Sequence, residues 1–411
     1  MDGKTLQSHL RTVVLLCSSS RGGSSITTEF LRQRDDILHL PAEINPLLHQ
    51  CISKQSPNGD ELLGEDCTPH ISNQIWNALA EEIGTYQRGT LTDNDWNRFS
   101  MMLSKRLQWQ WPSIQISHDA VQDAVQQSRH ILNNTYNWMD IFVDKSLFHC
   151  VFIDILRKNA HPEIDPRWYD ISDAMLDQFF EVDQLGPLIE PKKIIEEPPF
   201  VLISPWKKPS LEDVKRKTLI IKTPSNAYRI LFFRKLFERQ KLHILHLKRD
   251  AQSSINGLID GWRYKRGFHS HILENFVLED EPSIPKHIWK YDLPPNYQTY
   301  ISNSSLADIC AFQWLSAHEF ILRHRHNVDG YHSLWFQDVI DHNIPILDDL
   351  WKWLGVTKHI KMDPIQSLPL EMATCTPRQF RWFQRKSIIN NLTLHKKIIS
   401  LMKELQNISK S

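Results

Sequence analysis

The chain has 411 residues, with 48 Lys+Arg against 48 Asp+Glu, 41% hydrophobic residues and 23% charged ones. That is the composition of a globular chain long enough to bury a substantial core, and it excludes disordered and fibrous classes. A formal net charge of zero argues against a general nucleic-acid or anionic-membrane binder, which is normally basic overall.

The longest apolar run near the N-terminus, Val13–Cys17, is far below the ~18 residues of a membrane span and has no small-residue cleavage site after it. Six cysteines at 17, 51, 67, 150, 310 and 375 form no CxxC pair, so neither a zinc knuckle nor a disulfide framework is indicated. The expectation is a cytoplasmic protein with reduced thiols, no metal and no membrane span.

The first element, Thr12–Cys17, is a β-rich apolar run that reads as a buried strand. Ser18-Ser-Ser-Arg-Gly-Gly-Ser-Ser25 follows, and then Ile26–Arg32 with Ile26 and Phe30 on one helical face. The thirteen glycines of the chain compare with about 29 at ordinary usage, so the pair Gly22-Gly23 is informative. Strand, polar glycine turn and helix together set the amides of residues 22–26 at a helix start, where the dipole favours an anion. Ser24 and Ser25 cap the helix or donate to ligand oxygens, and Arg21 offers two parallel hydrogen bonds to a phosphate or sulfate edge. The bland reading of the same residues is a plain helix cap.

A short strand at Ile37–Leu40 comes next. Residues 70–182 read as mainly helical, with stripes at Ile71, Ile75, Leu79 and Ile83, then Trp96–Trp109 and Ile141–Leu156. Six prolines between 187 and 210 mark a loop or internal boundary. Beyond it strands and helices alternate: Thr218–Lys222, Ser225–Arg239, Leu242–Lys248, Ala251–Arg266, then a helix at Asp308–Arg325, a strand at Tyr331–Phe336 and a helix at Ile346–Leu354. Alternation of this length predicts parallel βαβ units. The fold class is α/β, a central parallel sheet flanked by helices, with the core at 1–45 and 216–411 and a mainly helical insertion at 46–215.

No GxxxxGK[ST], GxGxxG or GxSxG follows a strand, which weakens kinase, ATPase, dinucleotide and α/β-hydrolase readings. Ser20-Arg-Gly-Gly-Ser-Ser-Ile26 instead resembles the 5′-phosphosulfate loop of the PAPS-dependent sulfotransferases. Leu247-Lys-Arg-Asp-Ala-Gln-Ser-Ser-Ile-Asn-Gly-Leu258 is similar to their 3′-phosphate element. Ile221-Lys-Thr-Pro224 resembles the lysine-threonine element one βα unit upstream, and Trp335–Val339 with Leu350–Gly355 looks like the late strand and helix. The resemblance covers 10–45 and 216–357.

It implies a sulfotransferase using PAPS as donor, with Arg21, Gly22, Gly23, Ser24, Ser25 and Arg249 on the nucleotide and Lys222 on the sulfonate. Three departures stand out. Gly257 replaces the family's 3′-phosphate serine, for which Ser253 or Ser254, three or four residues earlier on the same helix face, can substitute. Ala251 replaces a proline, and Pro224 stands where the small-molecule enzymes carry a catalytic histidine. The base then comes from elsewhere: the protein- and carbohydrate-modifying branches use a glutamate one βα unit after the phosphate loop, where Glu43 lies. Asp144, after a possible strand, is a rival.

The acceptor expected is a small molecule or carbohydrate, seated under the 46–215 insertion as a lid. A P-loop phosphotransferase and an inactive nucleotide-binding scaffold remain as alternatives. Among the histidines, His243 and His246 point to opposite strand faces and cannot share a metal. A basic amphipathic helix is expected over Arg378–Lys397 as a further 3′-phosphate contact. Basic charge gathers at 205–271, with sixteen basic and five acidic residues, and again at 376–411, with eight and one. The zero total therefore conceals a candidate anion site.

Overall fold

A computed structural model describes residues 1–52, 58–85, 91–136, 144–301, 304–356, 370, 372–375, 378 and 380–408. Six strands build the main sheet: β1 (Thr12–Cys17), β2 (Ile37–His39), β3 (Gly84–Thr85), β4 (Thr218–Lys222), β5 (Lys241–Lys248) and, after a small antiparallel pair β6 (His269–Ile272) and β7 (Ile288–Lys290), β8 (Gly330–Trp335). The order is β3-β2-β4-β1-β5-β8. All neighbours pair in parallel except the edge strand β3.

Alternation along each strand feeds two cores. Val13, Leu15, Leu219, Ile221, Leu242 and Ile244 join one cluster, while Val14, Leu16, Ile220, Leu245, Leu247 and Leu334 join the other. Burial on both faces is why these strands read as continuous apolar runs. Parallel pairing also brings the C-terminal ends of β1, β2, β4, β5 and β8 to one edge, where open α/β sheets bind ligands.

The segment 46–215 divides between two layers. Helix Pro69–Glu82 packs Ile75, Trp76, Leu79 and Ala80 into the core beside the sheet, and β3 extends that sheet. A separate cluster runs from Trp96 to Ile203 and holds helices Asp93–Gln110, His118–Tyr136 and Lys145–Asn159. The Ile75–Ile83 stripe finds its apolar partner in the core beside the sheet.

Other elements differ in detail from the sequence pattern. Ser225–Arg239 is a 3-10 turn at Pro224–Tyr228 followed by a short helix at Ile230–Leu236. The basic helix expected over Arg378–Lys397 is instead a 3-10 turn Arg381–Arg385, a one-turn helix Lys386–Asn390 and a separate helix His395–Ile408. Its apolar residues Ile389, Leu392, Leu394, Ile398, Leu401 and Leu405 pack with helices Ala251–Arg263 and Leu306–His324, so tertiary burial sets the breaks. Residues 141–143 of the expected 141–156 helix lie outside the described residues; its remainder is Lys145–Asn159, with Asp144 as an exposed N-cap accepting from the Leu147 amide.

Candidate active site

The loop after β1 leaves the sheet at its central strand. Arg21 takes a left-handed backbone conformation (φ 60°) and so does Gly23 (φ 95°), directly before helix Ser24–Arg32. Gly23 is required twice over, since a Cβ there would overlap the Phe336 ring that follows β8. At Gly22 a Cβ would stand 2.8 Å from the Ser19 carbonyl oxygen, to which the Gly22 amide donates at 3.1 Å. The turn therefore sets the helix start at the sheet edge, and glycine at 22 and 23 leaves no Cβ over those amides.

Arg249, one residue beyond β5, donates from Nη1 to the Arg21 carbonyl oxygen at 2.9 Å and stacks over Phe336 at 5.2 Å. Burial, opposed by Asp250 and reinforced by Arg21, lowers its guanidinium pKa from the ordinary value. Arg21 extends over Phe268 (5.5 Å) and donates to the Met372 carbonyl at 2.6 Å. The Arg21 side chain passes over Gly257, its Cβ 3.4 Å from where a Cβ of residue 257 would stand. A guanidinium side chain, and no hydroxyl, therefore lines the position of the expected serine. Of the two substitutes, Ser254 is fully buried with its hydroxyl making no hydrogen bond, while Ser253 is half-buried at the helix start, its amide capped by Asp250 at 2.7 Å.

The other side of the loop carries a hydrogen-bonded chain. Lys222, at the end of β4, donates to Ser25 Oγ at 3.0 Å and to Glu43 Oε1. Thr223 Oγ1 donates to Glu43 Oε2 at 2.8 Å, and the Ile44 amide donates to the Lys222 carbonyl at 3.4 Å. Glu43 and Lys222 are 16% and 10% exposed, reachable by a ligand yet largely shielded from solvent screening. Of the residues singled out from sequence, the structure brings Ser25, Lys222 and Glu43 into one chain and Arg21 with Arg249 into another, both at the same loop. It sets Asp144 on a helix cap and seals Ser254.

Sequence reasoning missed the polar floor beneath. Buried Asp60 accepts from Ser225 Oγ (2.7 Å), Arg229 Nη2 (3.2 Å) and the Leu293 amide (2.9 Å), and pairs with His271 at 3.3 Å. Burial pushes this carboxyl up, but His271 and Arg229 outweigh it and hold it far below the usual carboxylate range. Asp292 accepts from Ser20 of the loop and from Tyr228 at 2.8 Å, and burial raises it to about 6. Glu197, in the proline-rich stretch, accepts from Ser270; burial and the Glu43 charge raise it to about 8. The proline cluster was the only sequence signal near it.

Two of the late basic residues are engaged with the helix that follows β5. Arg381 and Arg385 pair with Asp260 at 3.0 and 2.8 Å, and Arg385 donates to Asn256 Oδ1 at 2.6 Å. His243 lies against Trp353 and His246 against His318, on opposite faces of β5. No group of three or more metal-ligating side chains occurs among the described residues. No described helix is long and apolar enough to cross a membrane.

The site thus belongs to an α/β protein with a mostly parallel sheet, a glycine turn between the central strand and a helix start, and a lysine–glutamate pair beside it. Two solved structures are similar to this chain. The sulfotransferase domain from the curacin biosynthetic pathway is 12% identical over 90% of this chain and 82% of its own, with a TM-score of 0.35. The sulfotransferase domain of the Synechococcus PCC 7002 olefin synthase is 11% identical over 92% and 95%, with a TM-score of 0.31. Likeness at this level is distant. No protein-family model and no curated protein sequence matches the chain.

Proposed function

We propose that the chain is a PAPS-dependent sulfotransferase, moving a sulfonate from the donor to a hydroxyl or amine of a small-molecule or carbohydrate acceptor. The observation that carries this reading is the chain Ser25–Lys222–Glu43–Thr223 at the mouth of the glycine-turn loop. It pairs a cation for an anionic transferable group with a carboxylate able to accept a proton, and it joins both to the helix start that suits a phosphate.

In this reading the amides of Gly22, Gly23, Ser24 and Ser25 with Arg21 receive the 5′-phosphosulfate, and Arg249 with Ser253 receives the 3′-phosphate. Lys222 counters the charge that builds on the bridging oxygen and sulfonate during in-line displacement. Glu43 takes the proton of the acceptor as the new S–O or S–N bond forms and the S–O bond to the phosphate breaks. Such a positioned base typically contributes ~10²–10⁴-fold. Its two hydrogen bonds, from Lys222 and Thr223, fix its orientation before substrate arrives.

Thermal-shift titration with PAP, PAPS, ATP and GTP tests the reading. Stabilisation by PAP and PAPS but not by ATP or GTP is expected. Stabilisation by ATP or GTP alone would favour a phosphotransferase, and no response to PAP would overturn the donor assignment.

A further inference from the structure

Glu43 and Thr223 sit on two turns, one after β2 and one after β4, and their side chains meet. Behind that contact lies a second link between the same turns. Buried Arg229 uses all three of its guanidinium nitrogens. Nη1 donates at 2.5 Å to Oδ1 of Asn45, two residues beyond Glu43, where helix Asn45–Cys51 begins. Nε donates to the Asp60 carbonyl oxygen at 3.0 Å, and Nη2 to the Asp60 carboxylate at 3.2 Å. The other oxygen of that carboxylate accepts at 2.7 Å from Oγ of Ser225, two residues beyond Thr223. Chain and hydrogen bonds together close a ring that runs Glu43, Asn45, Arg229, Asp60, Ser225, Thr223 and back to Glu43.

We propose that Arg229 is a positioning residue for Glu43: through Asn45 it sets the turn carrying the carboxylate against the turn carrying Thr223 and Lys222. The inference rests on the reading above, in which Glu43 is the base. The bonds from Lys222 and Thr223 orient the carboxylate only as well as the two turns keep their separation. A reacting group displaced by about 1 Å can cost ~10²-fold in rate. A guanidinium suits the task because its rigid planar fork serves several acceptors at fixed angles, which an ammonium does not. The Arg229–Asp60 pair is buried and also holds the fold together, so the decisive cut in the ring is made at Asn45.

Asn45→Ala removes the acceptor of Nη1 and leaves the Arg229–Asp60 pair in place. The full chain is assayed in single turnover for release of labelled sulfate from saturating PAPS, with water as acceptor. In that step Glu43 takes a proton from water as its oxygen bonds to sulfur and the S–O bond to the phosphate breaks. Asn45→Ala should slow release by ~10- to 10²-fold and leave the Kd for PAP unchanged. In a Glu43→Gln background the same substitution should cost nothing further, because no base is left to position. Arg229→Lys keeps a cation for Asp60 without the fork; it should slow release by a similar factor, and Asn45→Ala should then add nothing. Unchanged release in Asn45→Ala or in Arg229→Lys would overturn the proposal. So would an equal loss from Asn45→Ala with and without Glu43, since that damage does not pass through the carboxylate. In all these cases PAP binding leaves the donor reading standing. Failure of the unsubstituted protein to bind PAP would overturn that reading, and PAP binding without sulfate release would overturn Glu43 as a base for Arg229 to serve.

Discussion

Lys222 and Glu43 lie 179 residues apart in the chain and form an ion pair across the ends of β4 and β2, with the same ammonium also bonded to Ser25 of the loop. The parallel register between these strands, His39 against Ile220, makes the pairing possible by bringing both strand ends to one edge. Removing either partner therefore has consequences for the other. Glu43→Gln keeps a polar group for Lys222 and Thr223 but cannot accept a proton, so PAP binding should persist while transfer falls by ~10²–10⁴-fold. Full turnover in a single-turnover assay with labelled PAPS would dismiss Glu43 as the base. Lys222→Ala should lower turnover as well, and it should also weaken PAPS more than PAP.

Arg249 reaches back to the carbonyl of Arg21, the residue whose left-handed backbone opens the turn. It thus ties the end of β5 to the loop. Arg249→Ala should abolish the thermal shift produced by PAP, and Arg249→Lys should restore little of it, because an ammonium lacks the planar fork that serves two acceptors together. A normal PAP shift in Arg249→Ala would remove this residue from the nucleotide site.

Gly23 is the position where a single methyl group should do most harm to the loop. Gly23→Ala places a Cβ in the Phe336 ring and keeps a side-chain residue at φ 95°. Each such strained conformation costs ~1–3 kcal/mol, so the midpoint of urea unfolding should fall and PAP affinity with it. Equal stability and affinity in Gly23→Ala would show that the loop tolerates another geometry.

Asp60 links the floor of the site to stability against acid. Burial raises its carboxyl, but His271 and Arg229 outweigh that and depress it far below its unfolded value of about 3.9. A depressed carboxyl stabilises the fold fully above its unfolded pKa, and the contribution is lost as pH falls through the folded one. Asp60→Asn leaves the buried Arg229 guanidinium without its carboxylate, a change that costs ~3–5 kcal/mol. The variant should be less stable at neutral pH, and the gap should close progressively below about pH 4. A gap of constant size down to strong acid in paired chemical-denaturation curves would rule out the ionised pair as its source.

Much of this site could be read along the chain because it is local. The strand Thr12–Cys17, the turn through Gly22-Gly23 and the following helix occupy consecutive residues, and the apolar runs ending at Lys222 and Lys248 declare their own strand ends. Elements whose ends depend on distant partners were harder. The expected helix from Ser225 yields to a 3-10 turn at Pro224–Tyr228, where Ser225 and Arg229 both bond Asp60, 165 and 169 residues away. The late basic helix breaks into pieces as its apolar residues settle against helices Ala251–Arg263 and Leu306–His324, and Arg381 and Arg385 turn to Asp260.

The amino-acid sequence alone determined an α/β chain with a glycine turn between its first strand and the following helix, since hydrophobic period, glycine placement and strand–turn–helix order are properties of neighbouring residues. It also determined that positive charge gathers around Lys222 and Arg249 beneath a balanced total. Only the tertiary structure decided that Glu43 meets Lys222 and Thr223, that Arg21 crosses Gly257, and that Asp60 gathers Ser225, Arg229 and His271. The reason is physical. A buried polar side chain is stabilised by a partner, but which partner it finds depends on strand register and crossover, and no periodicity in the chain encodes a contact between residues more than a hundred positions apart.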